Sequence, residues 1–349
     1  MRIYYHCSSY ISHRRAGAAY MDCLRQLGHD LADSPAHCDL IILHEEPPLY
    51  PEIVPYLPDG IVRIGYAVWE TPQLPREYRI GVSLMDAVWT CSDFSRQAFA
   101  PHVPTFLLPH LVERPHVSSA AIRRVAQRLG IAEGGPDGKF LLYTITDSIN
   151  PRKNLPALLT AFAAAFPGAP QDIRLVIKQY RSPQDLSRLP GVIDLPDTLD
   201  DEEIGALHAL CNAYVSTHHA EAWGLPISEA MSFGNPVIAT GYSGNMEFMN
   251  AENSFPIAYR IVPVSPAMCR LHPSYSADMR WADIDIAALV RTLRRIRRLP
   301  WTAADRTRVT ASLGAFTRKA ISARLAQLLA RLPTTAVHRK TVSPVGLDT

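Results

Sequence analysis

Short apolar runs alternate with amphipathic stretches along the whole chain. Runs at Arg2–Cys7, Asp39–Leu43, Ile61–Val68, Ala87–Cys91 and Thr105–Leu108 predict strands, as do Phe140–Ile145, Arg174–Lys178, Gly191–Leu195, Ala213–Thr217 and Pro236–Thr240. Runs of this length, bounded by turn residues, suit strands buried in a sheet. Between them, Ala16–Leu27 places Ala19, Leu24 and Leu27 on one side of a helix, and Asp200–Cys211 reads as a helix opened by acidic residues. Ser92 is placed to cap a further short helix. The proline-rich stretch EEPPLYPEIVPYLPDG after Leu43 cannot continue as regular structure and predicts a loop with one turn of helix at most. A last amphipathic helix is expected over Phe316–Leu332.

The 349 residues, 47% hydrophobic, suffice for two domains with a sizeable core. The helical piece AAIRRVAQRLG and the punctuation EGGPDG predict a linker at 117–138, dividing a first domain, 1–116, from a second, 139–332; the polar stretch 333–349 is expected to lack fixed structure. Lys and Arg number 35 against 33 Asp and Glu, a net charge of +2, and no aromatic-interleaved basic patch is present, so nucleic acid is not an expected partner. The six cysteines form no C-x-x-C pair and suggest free thiols in a reducing compartment. The N-terminus has no charged segment followed by an apolar one, and no 18-residue apolar run occurs, so a cytoplasmic protein is expected.

The chemistry concentrates in Glu221–Gly244, EAWGLPISEAMSFGNPVIATGYSG. Two carboxylates, Glu221 and Glu229, flank a Trp-Gly-Leu-Pro loop that leads into a short helix and then a strand. Open α/β sheets bind ligands beyond the carboxyl ends of their strands, and a carboxylate there accepts hydrogen bonds from vicinal hydroxyls. A sugar or a ribose is one reading; a solvated Glu221 and a Glu229 that only complements a helix dipole is the other. A second cluster lies in TDSINPRKNLPALLTAFAAAF, where Arg152 and Lys153 stand at a helix start. Cations are disfavoured there by about 0.3–1 kcal/mol, which a diphosphate between them and the helix would offset; two solvated side chains are the alternative. His218 and His219 have no partner at metal spacing, so no metal site is indicated and no cofactor is expected.

The E-x7-E string with its E-A-M-x-x-G-x-P-V-I-A-T continuation resembles the nucleotide-sugar signature of the retaining family 4 glycosyltransferases (glycosyl transferases group 1). These have the GT-B fold, an α/β architecture of two Rossmann-like parallel-sheet domains facing across a cleft. The resemblance is strongest from Phe140 to Asn250. It implies a nucleotide-sugar-dependent hexosyltransferase acting on a glycan, glycolipid or other hydroxyl, with retention, the donor on the second domain and the acceptor on the first. It further implies that Lys153, with Arg152, meets the diphosphate, that Glu229 holds the ribose, and that Glu221 with the backbone of Trp223, Gly224 and Leu225 holds the sugar.

Lys178 and Tyr180 fall where relatives read the base, and Tyr180 as a half-buried loop residue is an equal reading. GYAVWETPQLP followed by MDAVWTCSDFSRQAF resembles the first-domain pattern of many members. Glu70 stands there roughly where several relatives have a histidine facing the sugar, so whether it positions the acceptor, acts as a base or does neither is open. LRQLGHDL resembles the end of the family's first helix. By that resemblance the loop before the helix would close over the donor phosphates or the acceptor, but it offers Gly17 alone, with Arg14 and Arg15 before it, instead of a glycine pair, and an ordinary strand-to-helix loop is the other reading. Asp147 replaces an arginine that many members place six residues before the lysine.

Arg291, Arg294, Arg295 and Arg298 lie opposite the apolar face of a late helix; they form either a solvated face or a peripheral contact with anionic lipid, which would suit a lipid-linked acceptor. Two other readings stay open: a sugar epimerase or phosphorylase of the same architecture, and a non-catalytic module.

Overall fold

The computed structural model describes residues 1–132 and 138–332. The expected tail at 333–349 lies outside the described residues, as do residues 133–137 of the expected linker. The first domain carries β1 (Arg2–Cys7), β2 (Asp30–Leu31), β3 (Leu40–His44), β4 (Val62–Tyr66), β5 (Ala87–Thr90) and β6 (Thr105–Leu107) in the order β2-β1-β3-β4-β5-β6, with every pairing parallel. The second carries β7 (Phe140–Thr146), β8 (Ile173–Gln179), β9 (Val192–Leu195), β10 (Ala213–Ser216), β11 (Val237–Thr240) and β12 (Phe255–Ile257), ordered β12-β11-β10-β7-β8-β9 and again all parallel. Every residue of β3, β4, β5 and β11 is buried, which is why these strands appear in sequence as continuous apolar runs.

The first helix is Ile11–Gln26, five residues longer at its start than the expected Ala16–Leu27. Its first turns are polar, with Ile11, Arg14 and Arg15 exposed and His13 buried, so the apolar period begins late. Gly17 is therefore not in a phosphate loop: it sits mid-helix, where an added Cβ would come 2.5 Å from Cys7 Sγ and 3.2 Å from His44 Nδ1. Its service is to let the helix approach the sheet.

The helix Ser119–Leu129 in the expected linker segment is capped by Ser118 and docks on the helix Asp201–Leu210. Arg124 Nε donates to Glu203 Oε1 at 2.7 Å, and Ser118 Oγ to Glu202 Oε2 at 2.5 Å. The final helix, Arg318–Ala330, returns to the first domain and packs on Ile11–Gln26, with Arg324 Nε donating to the Leu107 carbonyl at 3.0 Å.

A hairpin late in the second domain has no counterpart in the sequence reading. β13 (Tyr259–Pro263) and β14 (Arg280–Ile284) pair antiparallel, and the chain between them includes a short helix, Pro266–Leu271. This hairpin carries Met268, Tyr275, Met279 and Trp281 into one apolar cluster with Trp69, Tyr78, Val82 and Phe99 of the first domain. Trp69 and Tyr275 have ring centroids 4.8 Å apart.

Asp285 caps the helix Ile286–Arg298, whose basic face is partly engaged by the protein itself. Arg294 donates to the carbonyls of Ala164 and Ala165, at 2.7 and 3.1 Å, and Arg295 lies over the Phe255 ring, whereas Arg291 and Arg298 are exposed. Among the described residues no helix is long and apolar enough to cross a membrane.

Candidate functional site

The site forms where the carboxyl ends of β7 and β10 meet the first domain. After β10 the chain runs Thr217–Gly224 as a loop whose backbone is pinned from behind by the loop following β11. Ser243 Oγ accepts from the Glu221 N–H at 2.8 Å, and the Gly244 N–H donates to the Glu221 carbonyl at 2.8 Å. Ser243 holds φ at 74°, an uncommon value for a residue with a side chain. A Cβ at Gly244 would fall 1.7 Å from the Ala222 carbonyl oxygen, a backbone atom that cannot yield without moving Glu221. Gly244→Ala is thus expected to cost several kcal/mol, as overpacking against backbone exceeds the usual 1–3 kcal/mol. Urea denaturation measures this, and an unchanged midpoint would contradict the packing described.

After β7, the Asn150 side chain accepts from the Arg152 N–H at 3.0 Å and opens a single 3-10 turn, Pro151–Lys153; Asn154, left-handed at φ 52°, then starts the helix Leu155–Ala165. Arg152 and Lys153 thus precede that helix, and both turn to Glu221. Lys153 Nζ donates to Glu221 Oε1, while Arg152 Nη1 donates to Oε2 at 3.0 Å and to the Ala220 carbonyl at 2.8 Å. Burial alone would raise the Glu221 carboxyl, but Lys153 and Arg152 outweigh it and hold the group down at about 2. Burial likewise would lower Lys153 and Arg152, and their carboxylate neighbours keep both raised.

Glu70, from the loop after β4, completes the group from the other domain. Its Oε1 lies 3.4 Å from Arg152 Nη2 and its Oε2 accepts from the Tyr275 hydroxyl at 2.8 Å. The structure therefore brings Glu221, Lys153, Arg152 and Glu70 together across the cleft.

Glu229 lies on the second turn of the helix Leu225–Ser232. Its Oε1 is 2.9 Å from Arg15 Nη2 of the first domain, and its carboxyl is held low by His208 and Arg15 against the upward push of burial. Trp223 is buried against Phe248 and Phe316, with Nε1 donating to Ser228 Oγ at 3.1 Å, which leaves its backbone as the part that can serve a ligand. Gly224, at φ 89°, allows the turn into the helix, and Leu225 is the helix's first residue.

Tyr180 is half-buried at the end of β8 and bonded through its backbone N–H to the Thr146 carbonyl. Lys178 stands apart: it is buried, donates to the Gln179 carbonyl, and is pushed down by burial, with Asp197 and Arg128 as its charged neighbours. His218 and His219 have protein partners: His218 lies between Ser216 Oγ and Asn245 Oδ1, and His219 stacks on Trp281 at 4.4 Å.

Several residues of this region were not visible to sequence reasoning. Arg181, one residue past Tyr180, meets Asp147 at 3.4 Å and lies over the Tyr10 ring, so a cation does stand beside the position where Asp147 replaces the family's arginine. Its place at the end of a strand beside Tyr180 was the available signal. Glu46, on the loop after β3, accepts from the Tyr78 hydroxyl and lies 3.6 Å from His13 Nε2. Burial pushes its carboxyl up to about 7, aided by Glu70 and Glu45, while Tyr78 and Arg152 pull it back.

A raised carboxyl stabilises the fold when protonated, so the wild type should lose stability as pH climbs from about 4.5 through about 7. Glu46→Gln should therefore melt above the wild type at pH 8 and with it at pH 5. The gain will be small, because 39% of the Glu46 side chain is exposed and solvent screens it. Thermal melts at the two pH values decide the matter, and a gain of equal size at both would refute it.

The overall architecture has counterparts among solved structures. The architecture is the GT-B fold: the structure superposes on Anabaena HepE in complex with UDP-glucose with a TM-score of 0.60 at 18% identity, covering 90% of this chain and 89% of that one. It superposes on the sucrose-phosphate synthase of Thermosynechococcus elongatus with a TM-score of 0.59 at 15% identity, over 90% and 76% of the two chains. For an α,α-trehalose-phosphate synthase (UDP-forming) from Burkholderia vietnamiensis the values are 0.57, 12%, 91% and 80%. Residues 131–257 match the model of the family glycosyl transferases group 1. No curated protein matches the chain by sequence.

Proposed function

We propose that this protein is a retaining glycosyltransferase that moves a hexosyl group from a nucleoside-diphosphate sugar to a hydroxyl of a glycan, glycolipid or other acceptor. The observation that carries the reading is Glu221 held between Lys153 and Arg152 where the second domain's strands end, with Glu70 of the first domain on the same arginine. In this reading the donor's diphosphate draws Lys153 and Arg152 away from Glu221, which becomes free to accept from sugar hydroxyls. The C1–oxygen bond to the diphosphate breaks, the acceptor oxygen bonds C1 on the same face, and the acceptor's proton passes to the departing phosphate oxygen.

Charge on the leaving group is met by Lys153 and Arg152, a contribution of about 3–4 kcal/mol for a well-aimed donor. We infer that no divalent ion is required, so EDTA should leave turnover unchanged. Because the HepE structure holds UDP-glucose, UDP-glucose is the first donor to test.

The test is release of UDP, GDP or ADP from a panel of nucleotide sugars, with and without simple sugar acceptors. Release from one donor, accelerated by an acceptor, supports the assignment. Absence of release from all of them, with no thermal shift by any nucleoside diphosphate, would leave a non-catalytic module. Peripheral membrane contact is a separate proposal resting on the exposed Arg291 and Arg298. It predicts salt-sensitive sedimentation with vesicles containing anionic lipid, and no sedimentation with neutral ones.

A further inference from the structure

The carboxylate of Glu229 is gripped from two sides by residues that nothing in the family assignment explains. Behind it, His208 is buried in the last turn of the helix Asp201–Leu210, 1% exposed, with Nε2 3.7 Å from Glu229 Oε2. The other ring nitrogen, Nδ1, is 2.7 Å from the Tyr143 hydroxyl. Asn235 fixes which atom carries each proton. Arg306 Nη1, which can only donate, meets Asn235 Oδ1 at 2.9 Å, so the amide nitrogen Nδ2 faces the His208 carbonyl at 2.6 Å and the Tyr143 oxygen at 2.9 Å. Tyr143 thus accepts from Asn235, and among the described residues its own proton has His208 Nδ1 as the acceptor at hand. A neutral imidazole that accepts at Nδ1 carries its hydrogen on Nε2, which makes no hydrogen bond in the resting structure and lies 3.7 Å from Glu229 Oε2.

In front of the carboxylate, Arg15 reaches from the first domain to Glu229 Oε1 at 2.9 Å; its Nε lies 3.8 Å from Asp201 Oδ1. The two grips differ in permanence. His208 is enclosed by Tyr143, Asn235 and Phe233, whereas the Arg15 side chain is 41% exposed and can swing into solvent.

We propose that His208 is a positioning residue that aims Glu229 into the cleft, and that Arg15 occupies the face of this carboxylate where the donor's ribose diol docks. The proposal rests on the reading of Glu229 as the ribose carboxylate. Ribose hydroxyls then replace the guanidinium, and nucleotide binding breaks one ion pair between the domains.

The experiment titrates UDP, and UDP lacking both ribose hydroxyls (2′,3′-dideoxy-UDP), into the full chain by calorimetry. Wild type, His208→Phe, His208→Gln, Tyr143→Phe and Arg15→Ala are compared, each with a melting curve. The wild type should prefer UDP by about tenfold or more, the worth of hydrogen bonds to a charged group. His208→Phe and Tyr143→Phe should remove most of that preference while leaving the dideoxy affinity in place, and His208→Gln, whose amide N–H can reach the same carboxylate, should restore part of it. Arg15→Ala should tighten UDP severalfold and leave the dideoxy compound unchanged.

Equal losses for both nucleotides in the His208 and Tyr143 variants would reduce these residues to packing and overturn the proposal. So would weaker UDP binding by Arg15→Ala, which would put Arg15 on the donor itself. A wild type that binds both nucleotides equally would overturn this proposal alone, and one that binds neither would overturn the donor-site reading with it.

Discussion

Lys153→Ala is expected to lower nucleotide release from the accepted sugar donor by about a hundred- to a thousandfold, the usual effect of removing one aimed donor at a site of developing charge. The side chain is 14% exposed and lies against Glu221, from which the donor's diphosphate would draw it. Alanine removes the cation and leaves Arg152 as the sole partner of the Glu221 carboxylate. Turnover should therefore fall through kcat more than through donor KM, because the diphosphate gains its charge as the bond breaks. Lys153→Arg keeps the charge on a larger planar head and should recover only part of the rate. Steady-state release assays on the three proteins provide the check. A Lys153→Ala enzyme within a fewfold of wild type would remove Lys153 from the chemistry.

Glu221→Gln should lower stability at pH 7 by about 3–5 kcal/mol, since taking one partner from a buried ion pair strands the other charges. Here two cations would be left facing one another with only Glu70 beside Arg152. The acid behaviour follows from the same geometry. The folded carboxyl sits at about 2 against an ordinary 4.5, so its contribution is complete above about 4.5 and is lost as pH falls toward 2. Denaturation of the wild type should show this acid loss, and Glu221→Gln should lack that part of it. Adding Lys153→Met to Glu221→Gln removes one stranded cation and should return part of the stability. A double variant no better than the single one would mean that the triad is not coupled.

Much of the fold was legible because its strands are buried on both faces and stand out as apolar runs, as with Leu40–His44 and Val237–Thr240. The cluster around Glu221 was legible in part: the signature drew attention to Glu221 and Lys153, and the structure joins them directly. Gly17 was misplaced because the helix begins with ISHRR, whose polar residues hide the first turns. The hairpin of β13 and β14 went unseen because Tyr259–Ile261 is exposed along its length and gives no alternation. Pairs such as Arg15 with Glu229, or Tyr275 with Glu70, join residues far apart in sequence, and no local pattern encodes them.

The apolar cluster shared by Trp69, Tyr78, Tyr275 and Trp281 bears on how the molecule comes apart. With the returning helix Arg318–Ala330 on the opposite lobe, neither half can unfold without exposing surface that the other half covers. Calorimetry should record a single transition whose van't Hoff and calorimetric enthalpies agree. A fragment beginning near Ser118 should aggregate, because it would present Tyr275, Met279 and Trp281 to water. A single transition would mark the two lobes as one cooperative unit and the second domain as unsuited to transplantation as an independent module.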